Sequence, residues 1–191
     1  MLEHVAWARN LPSCDPVDCC KRILIALDLS ADSPALFTHG LCIARKTGAK
    51  LFLVHVDDAA RVNTLGFLPA ETYEQWVKGC QDNVRQQLQP LVEQAREAGV
   101  EAEIVPLTGS YGGAILDTAR EQNIDLIVMG YHHDRSKVAR FIMGSTAVSV
   151  LKGAPCPILM VPLVVGEGMK PDSSAATKQN NSATGQKRAR F

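Results

Sequence analysis

Continuous apolar runs and helical spacings alternate along most of the chain. Ile23-Leu24-Ile25-Ala26-Leu27 is apolar at every position, the pattern of a strand covered on both faces. After Asp28, Ser33-Pro34 offers a cap and a first-turn proline. Leu36, Gly40, Ile43 and Thr47 then recur at helical spacing, and Gly48 stops the helix. A second buried strand covers Leu51 to Val56, with His55 inside it. A loop with Gly66 and Pro69 leads to a long helix whose stripe runs Tyr73, Trp76, Val77, Cys80, Val84, Leu88, Leu91, Ala95. Pro90 is expected to kink or divide that helix. A short strand follows from Glu101 to Pro106. Next come a helix from Gly112 to Gln122, a strand from Ile124 to Met129, a helix from Gly144 to Lys152 and a strand from Pro157 to Val164. Pro162 marks the last strand as an edge or a bulged one.

Strands that alternate with crossovers of this length build an α/β domain. The expected form is an open, five-stranded parallel sheet with helices on both faces, Rossmann-like and single-domain. Ligands of such sheets bind at the carboxyl ends of the strands, where strand order reverses. The segments that matter are then the turns after the first, second and fourth strands.

Each turn carries a chemical option and a bland one. Asp28 can accept hydrogen bonds from a base or ribose, or can cap a turn, and the two readings stand level. His55 lies within an apolar run and reads first as a core histidine, while Val56 would form an apolar wall. Gly130 lets the backbone approach a ligand. Gly144-Ser145-Thr146 places free N–H groups and two hydroxyls at a helix start, which suits an anion; capping by Ser145 is the simpler reading and is compatible with it. Between these glycines lie His132, His133, Asp134, Arg135, Lys137 and Arg140. Adjacent histidines rarely reach one metal together, and no second cluster completes a ligand set. The Walker pattern is absent, and no GxGxxG follows the first strand.

Composition narrows the class. The chain has 191 residues, 46% hydrophobic, with 20 basic and 20 acidic side chains, so no general affinity for nucleic acid is expected. No apolar run reaches the length of a membrane span, and Glu3, His4 and Arg9 interrupt any signal-like stretch. Residues 1–20 read as a flexible leader and 165–191 as a disordered tail rich in small and polar residues. Of six cysteines, Cys42, Cys80 and Cys156 fit apolar patterns and are expected to be buried. Cys14, Cys19 and Cys20 match no zinc signature and read as free thiols in a reducing, cytoplasmic compartment.

The stretches KRILIALDLSADSPAL from Lys21, LFLVHVDD from Leu51, GSYGGAILDTAREQNIDLIVMG from Gly109 and GSTAVSVLKGAPCPILMVP from Gly144 resemble, in order, the universal stress protein family. The resemblance spans residues 21–164 and implies an adenine-nucleotide site for ATP or AMP, with magnesium if ATP. By position it assigns Ala26 and Asp28 to the adenosine, Val56 to the adenine, Met129 and Gly130 to the pocket, and Gly144, Ser145 and Thr146 to the phosphates. It implies no catalytic or metal-binding residues and at most weak ATP hydrolysis. It also implies a homodimer paired through Ile158 to Val164. The chain departs from the nucleotide-binding motif in two ways. His133 stands at its second glycine, and the stretch from Gly130 to Gly144 is one residue longer. The GYHH loop is similar to that of the universal stress protein A type, a dimeric interaction protein without nucleotide, which is the alternative reading.

Overall fold

A computed structural model describes residues 20–58, 70–133 and 144–164. Its five strands are β1 (Arg22–Ala26), β2 (Lys50–Asp57), β3 (Ala102–Thr108), β4 (Leu126–His133) and β5 (Ile158–Val164). They form one sheet in the order β3-β2-β1-β4-β5, and each neighbouring pair is parallel. The described helices are α1 (Ser33–Thr47), α2 (Ala70–Glu97), α3 (Tyr111–Glu121) and α4 (Ser145–Gly153). This is the expected open parallel α/β sheet. The expected leader up to Asp18 and Cys19, the tail and the Gly66–Pro69 loop lie outside the described residues.

The inner strands are apolar at successive positions because both faces are covered. Ile23, Ile25, Leu51, Leu53 and Val128 pack under α1 and α2, against Leu36, Phe37, Leu41, Val84 and Leu88. Leu24, Phe52, Val54, Ile127 and Met129 pack on the opposite face, against Ile115, Leu116 and Ala119 of α3 and Ala147 and Val150 of α4. Fully burying each such side chain contributes about 1.5–3 kcal/mol, so the two layers supply the main driving force. At the amino end of the sheet, Asp125 Oδ2 accepts the backbone N–H groups of Lys21 at 2.8 Å and Arg22 at 2.9 Å. That ties the start of β1 to the start of β4.

Several boundaries differ from the sequence reading. Helix α1 starts at Ser33, with Asp32 rather than Ser33 in the capping position and no side-chain cap bond; the Ser33 hydroxyl donates to Asp28. Gly48 closes α1 in the left-handed region, with φ of 65°. Helix α2 runs undivided through Pro90. Pro90 is exposed, so water can serve the carbonyl that its missing N–H leaves free. Strand β4 continues past Met129 to His133, because β5 pairs with it through Gly130, Tyr131, His132 and His133. The two histidines are therefore strand residues and not loop residues.

The cysteines also differ. Cys42 is exposed, and Cys80 and Cys156 are half-buried. Cys42 follows the buried Leu41, and one helical step turns it away from the core. Burial and then the Asp125 charge push the Cys20 and Cys156 thiols above the usual thiol range. Burial and then Asp57 do the same to Cys80.

Candidate functional site

From β1 the sheet grows one way through β2 and the other way to β4. Strand order reverses there, and a crevice opens at the carboxyl ends of the strands. The structure has a cleft of about 570 Å³ at this place. Ala26, Asp28, Val56, Met129, Gly130, Gly144 and Thr146 all line it. Residues scattered across four segments of sequence thus meet at one site. Ser145 is the exception. It occupies the first position of α4, is exposed, and stands outside the lining.

The turn after β1 is tightly built. Asp28 Oδ1 accepts the Ser30 N–H at 2.9 Å and the Ser33 hydroxyl at 3.1 Å. Leu29 between them has φ of 60°, a left-handed conformation that costs a branched side chain energy. The turn capping and the ligand-facing position of Asp28 are therefore not alternatives: one residue does the first and occupies the second.

Gly130 has a packing reason as well as a cleft-lining one. A Cβ there would run into the Leu163 side chain of β5. Gly144 has open space around its missing Cβ. It takes the capping position of α4, with φ of −60° and ψ of 155°, and as a glycine brings no side chain to cap the helix. The start of α4, whose first N–H groups have no acceptor within the helix, sits beside the cleft.

His55 and Asp57 line the cleft too. Neither figured among the expected site residues. Their spacing of two along β2 was the available signal, since it sends both to the same side of the strand. His55 Nδ1 lies 2.7 Å from the Leu27 carbonyl oxygen, which can only accept, so this nitrogen carries the proton. His55 Nε2 then faces Asp57 Oδ1 at 3.6 Å. Asp57 Oδ2 is enclosed and has no hydrogen-bond partner among the described residues. Tyr111, at the start of α3, adds a partly exposed aromatic ring to the rim.

Among the described residues the lining contains no lysine or arginine, and its charged side chains are Asp28 and Asp57. No group of three or more metal-ligating side chains is clustered among the described residues. Arg135, Lys137 and Arg140 lie outside them, as do the side chains of His132 and His133. No described helix is long and apolar enough to cross a membrane.

Comparison with known proteins adds a family. The model of the universal stress protein family matches residues 20–162. A universal stress protein of Methanocaldococcus jannaschii is 31% identical over 142 residues, which cover 74% of this chain and 81% of that one. The solved structure of universal stress protein UspA from Lactobacillus plantarum is similar with a TM-score of 0.54 and 26% identity, over 74% of this chain and 97% of that one. A universal stress protein of Archaeoglobus fulgidus, solved in complex with dAMP, matches with a TM-score of 0.50 and 22% identity, over 73% of this chain and 96% of that one. This last likeness carries the fold.

Proposed function

Because the chain belongs to the universal stress protein family, we propose that this stress-response protein binds an adenine nucleotide, AMP or ATP, in the cleft at the carboxyl ends of β1, β2 and β4. The observation that carries this reading is the convergence of seven of the eight expected site residues on one cleft of about 570 Å³. The volume suits a ligand of nucleotide size. A relative of the same fold solved with dAMP is in keeping with it.

Each part of the cleft has a task in this reading. Ala26, Val56 and Met129 form apolar walls for the base. Asp28, held by Ser30 and Ser33, accepts from ribose hydroxyls. The uncapped start of α4 receives the phosphate through its N–H groups and the Thr146 hydroxyl. With two carboxylates in the described lining, a triphosphate would be bound with magnesium as counter-charge. The protein carries no dedicated catalytic residues in this reading. Its output is a nucleotide-dependent change in an oligomer or partner, in the cytoplasm.

Isothermal titration with ATP and AMP tests the proposal. Binding in the micromolar to millimolar range is expected, and Asp28→Ala should weaken it about tenfold, the loss of one strong hydrogen bond. No heat with folded protein at millimolar ligand would overturn it.

A second reading rests on β5. This strand is the sheet edge and pairs only with β4 among the described residues. An edge of unpaired backbone groups favours pairing with another copy. We propose a homodimer through Ile158 to Val164, compatible with nucleotide binding or, in the universal stress protein A manner, independent of it.

A further inference from the structure

The free edge of β5 and the outer side of α4 form one apolar surface. Among the described residues, Tyr111, Val148 and Leu151 are the exposed large apolar side chains, and two of them belong to α4. Ala147 and Val150 of that helix enter the core, while Ser149 and Gly153 meet α3 at Gly112 and Leu116. Helical geometry turns Val148 and Leu151 away from both, to the side opposite α3. Helix α3 packs on β2 and β3, so that opposite side overhangs β5. Ile158 and Met160 of β5 lie on the same face of the sheet and are only half-buried.

The backbone of the edge restricts how it can pair. The Pro157 carbonyl accepts the Ile127 N–H at 3.0 Å, so by alternation Leu159, Val161 and Leu163 also turn their backbone groups to β4. Ile158, Met160, Pro162 and Val164 then turn theirs outward. Pro162 has no N–H to offer, and a carbonyl set opposite it would lose its donor. An antiparallel pairing with a two-fold axis beside Leu159 avoids this. It sets Ile158 against Met160 of a second copy and leaves Pro162 outside the strand ladder. With the axis normal to the sheet, both α4 helices lie on one face, and Val148 and Leu151 meet their counterparts. Strand β5 carries no charge, so two copies meet there without like-charge repulsion. The other edge, β3, carries exposed Glu103 and is the poorer surface for self-pairing.

We propose that Val148 and Leu151 of α4, with Ile158 to Met160 of β5, form a single docking surface for a second copy of this chain, with the two-fold axis beside Leu159. This rests on the homodimer reading above, and adds the helix and the register to it.

Two measurements on the full chain test it. In light scattering over a dilution series, the native protein should give the mass of two chains. Val148→Glu combined with Leu151→Glu places like charges across the axis and should weaken the dimer at least tenfold. Both positions are exposed, and circular dichroism confirms that the variant is folded. The register is read by oxidative crosslinking with oxidised glutathione and peptide mass spectrometry. Residues facing each other across the axis at a non-hydrogen-bonded pair lie about 4.5 Å apart, within reach of a disulfide. Leu159→Cys should therefore join two copies through residue 159, and Val161→Cys should not join them through residue 161. An unchanged dimer in the folded double variant, or no crosslink through residue 159, would overturn the inference and leave a homodimer of other geometry standing. A native chain that is a monomer at micromolar concentration would overturn the homodimer reading, and this inference with it.

Discussion

Single atoms decide much at this site. Gly130 sits where a Cβ would meet Leu163, a core side chain of β5. Gly130→Ala is expected to destabilise the protein by about 1–3 kcal/mol, the usual cost of overpacking, as read from urea unfolding. Its glycine would then be explained by packing before any ligand is considered. The thiols provide a second check. A thiol held above its ordinary range has a smaller thiolate fraction at a given pH and reacts more slowly. Among the described cysteines, exposed Cys42 should be alkylated first at pH 7.5. Half-buried Cys156, raised by burial and by Asp125, should lag at least several-fold. Peptide mass spectrometry after timed alkylation would show it, and equal rates would contradict the assignment.

The elements explain why the turns are placed as they are. Strand β1 is anchored below by Asp125 and ends above in the Asp28 turn. Asp125→Ala removes a charged acceptor from two backbone donors, and a loss of about 2 kcal/mol is expected in chemical denaturation. Helix α2 offers the opposite case. Pro90 lies inside it and is exposed. Pro90→Ala restores a donor in the helix and raises propensity, against a gain in unfolded-chain freedom. A net stabilisation of about 1–2 kcal/mol is expected. A loss of stability would mean that the proline ring is needed for packing.

At the scale of the molecule, the parallel sheet sets both the cleft and the exposed edge. The cleft lies beside β1, where strand order reverses, and β5 ends the sheet two strands away. A nucleotide site and a dimer edge can therefore coexist. Light scattering at micromolar concentration should give the mass of two chains, and a monomer would contradict pairing through β5. Repeating the measurement with saturating AMP shows whether the cleft and the edge communicate.

The order and type of the elements were determined by local sequence. Apolar runs marked β1, β2, β4 and β5, helical spacing marked α1 to α4, and β3, whose edge position leaves it only partly covered and Glu103 exposed, was marked by its place between a helix and the next turn. The cleft-lining residues were legible as turns after strands, with the family resemblance assigning the roles. What was illegible depended on partners distant in the chain. Strand β4 extends to His133 only because β5 pairs beside it. Asp28 accepts at Oδ1 from Ser30 and Ser33, and Ser33 is the first residue of α1 and not its cap. His55 looked like a core residue because its neighbours are apolar. Only the folded sheet sets its ring between the Leu27 carbonyl and Asp57 and leaves one oxygen of that carboxylate without a donor among the described residues. Periodicity reports which face a side chain takes, a property of the chain near it. Pairing, enclosure and hydrogen-bond satisfaction belong to contacts between elements, and the tertiary structure alone decides them.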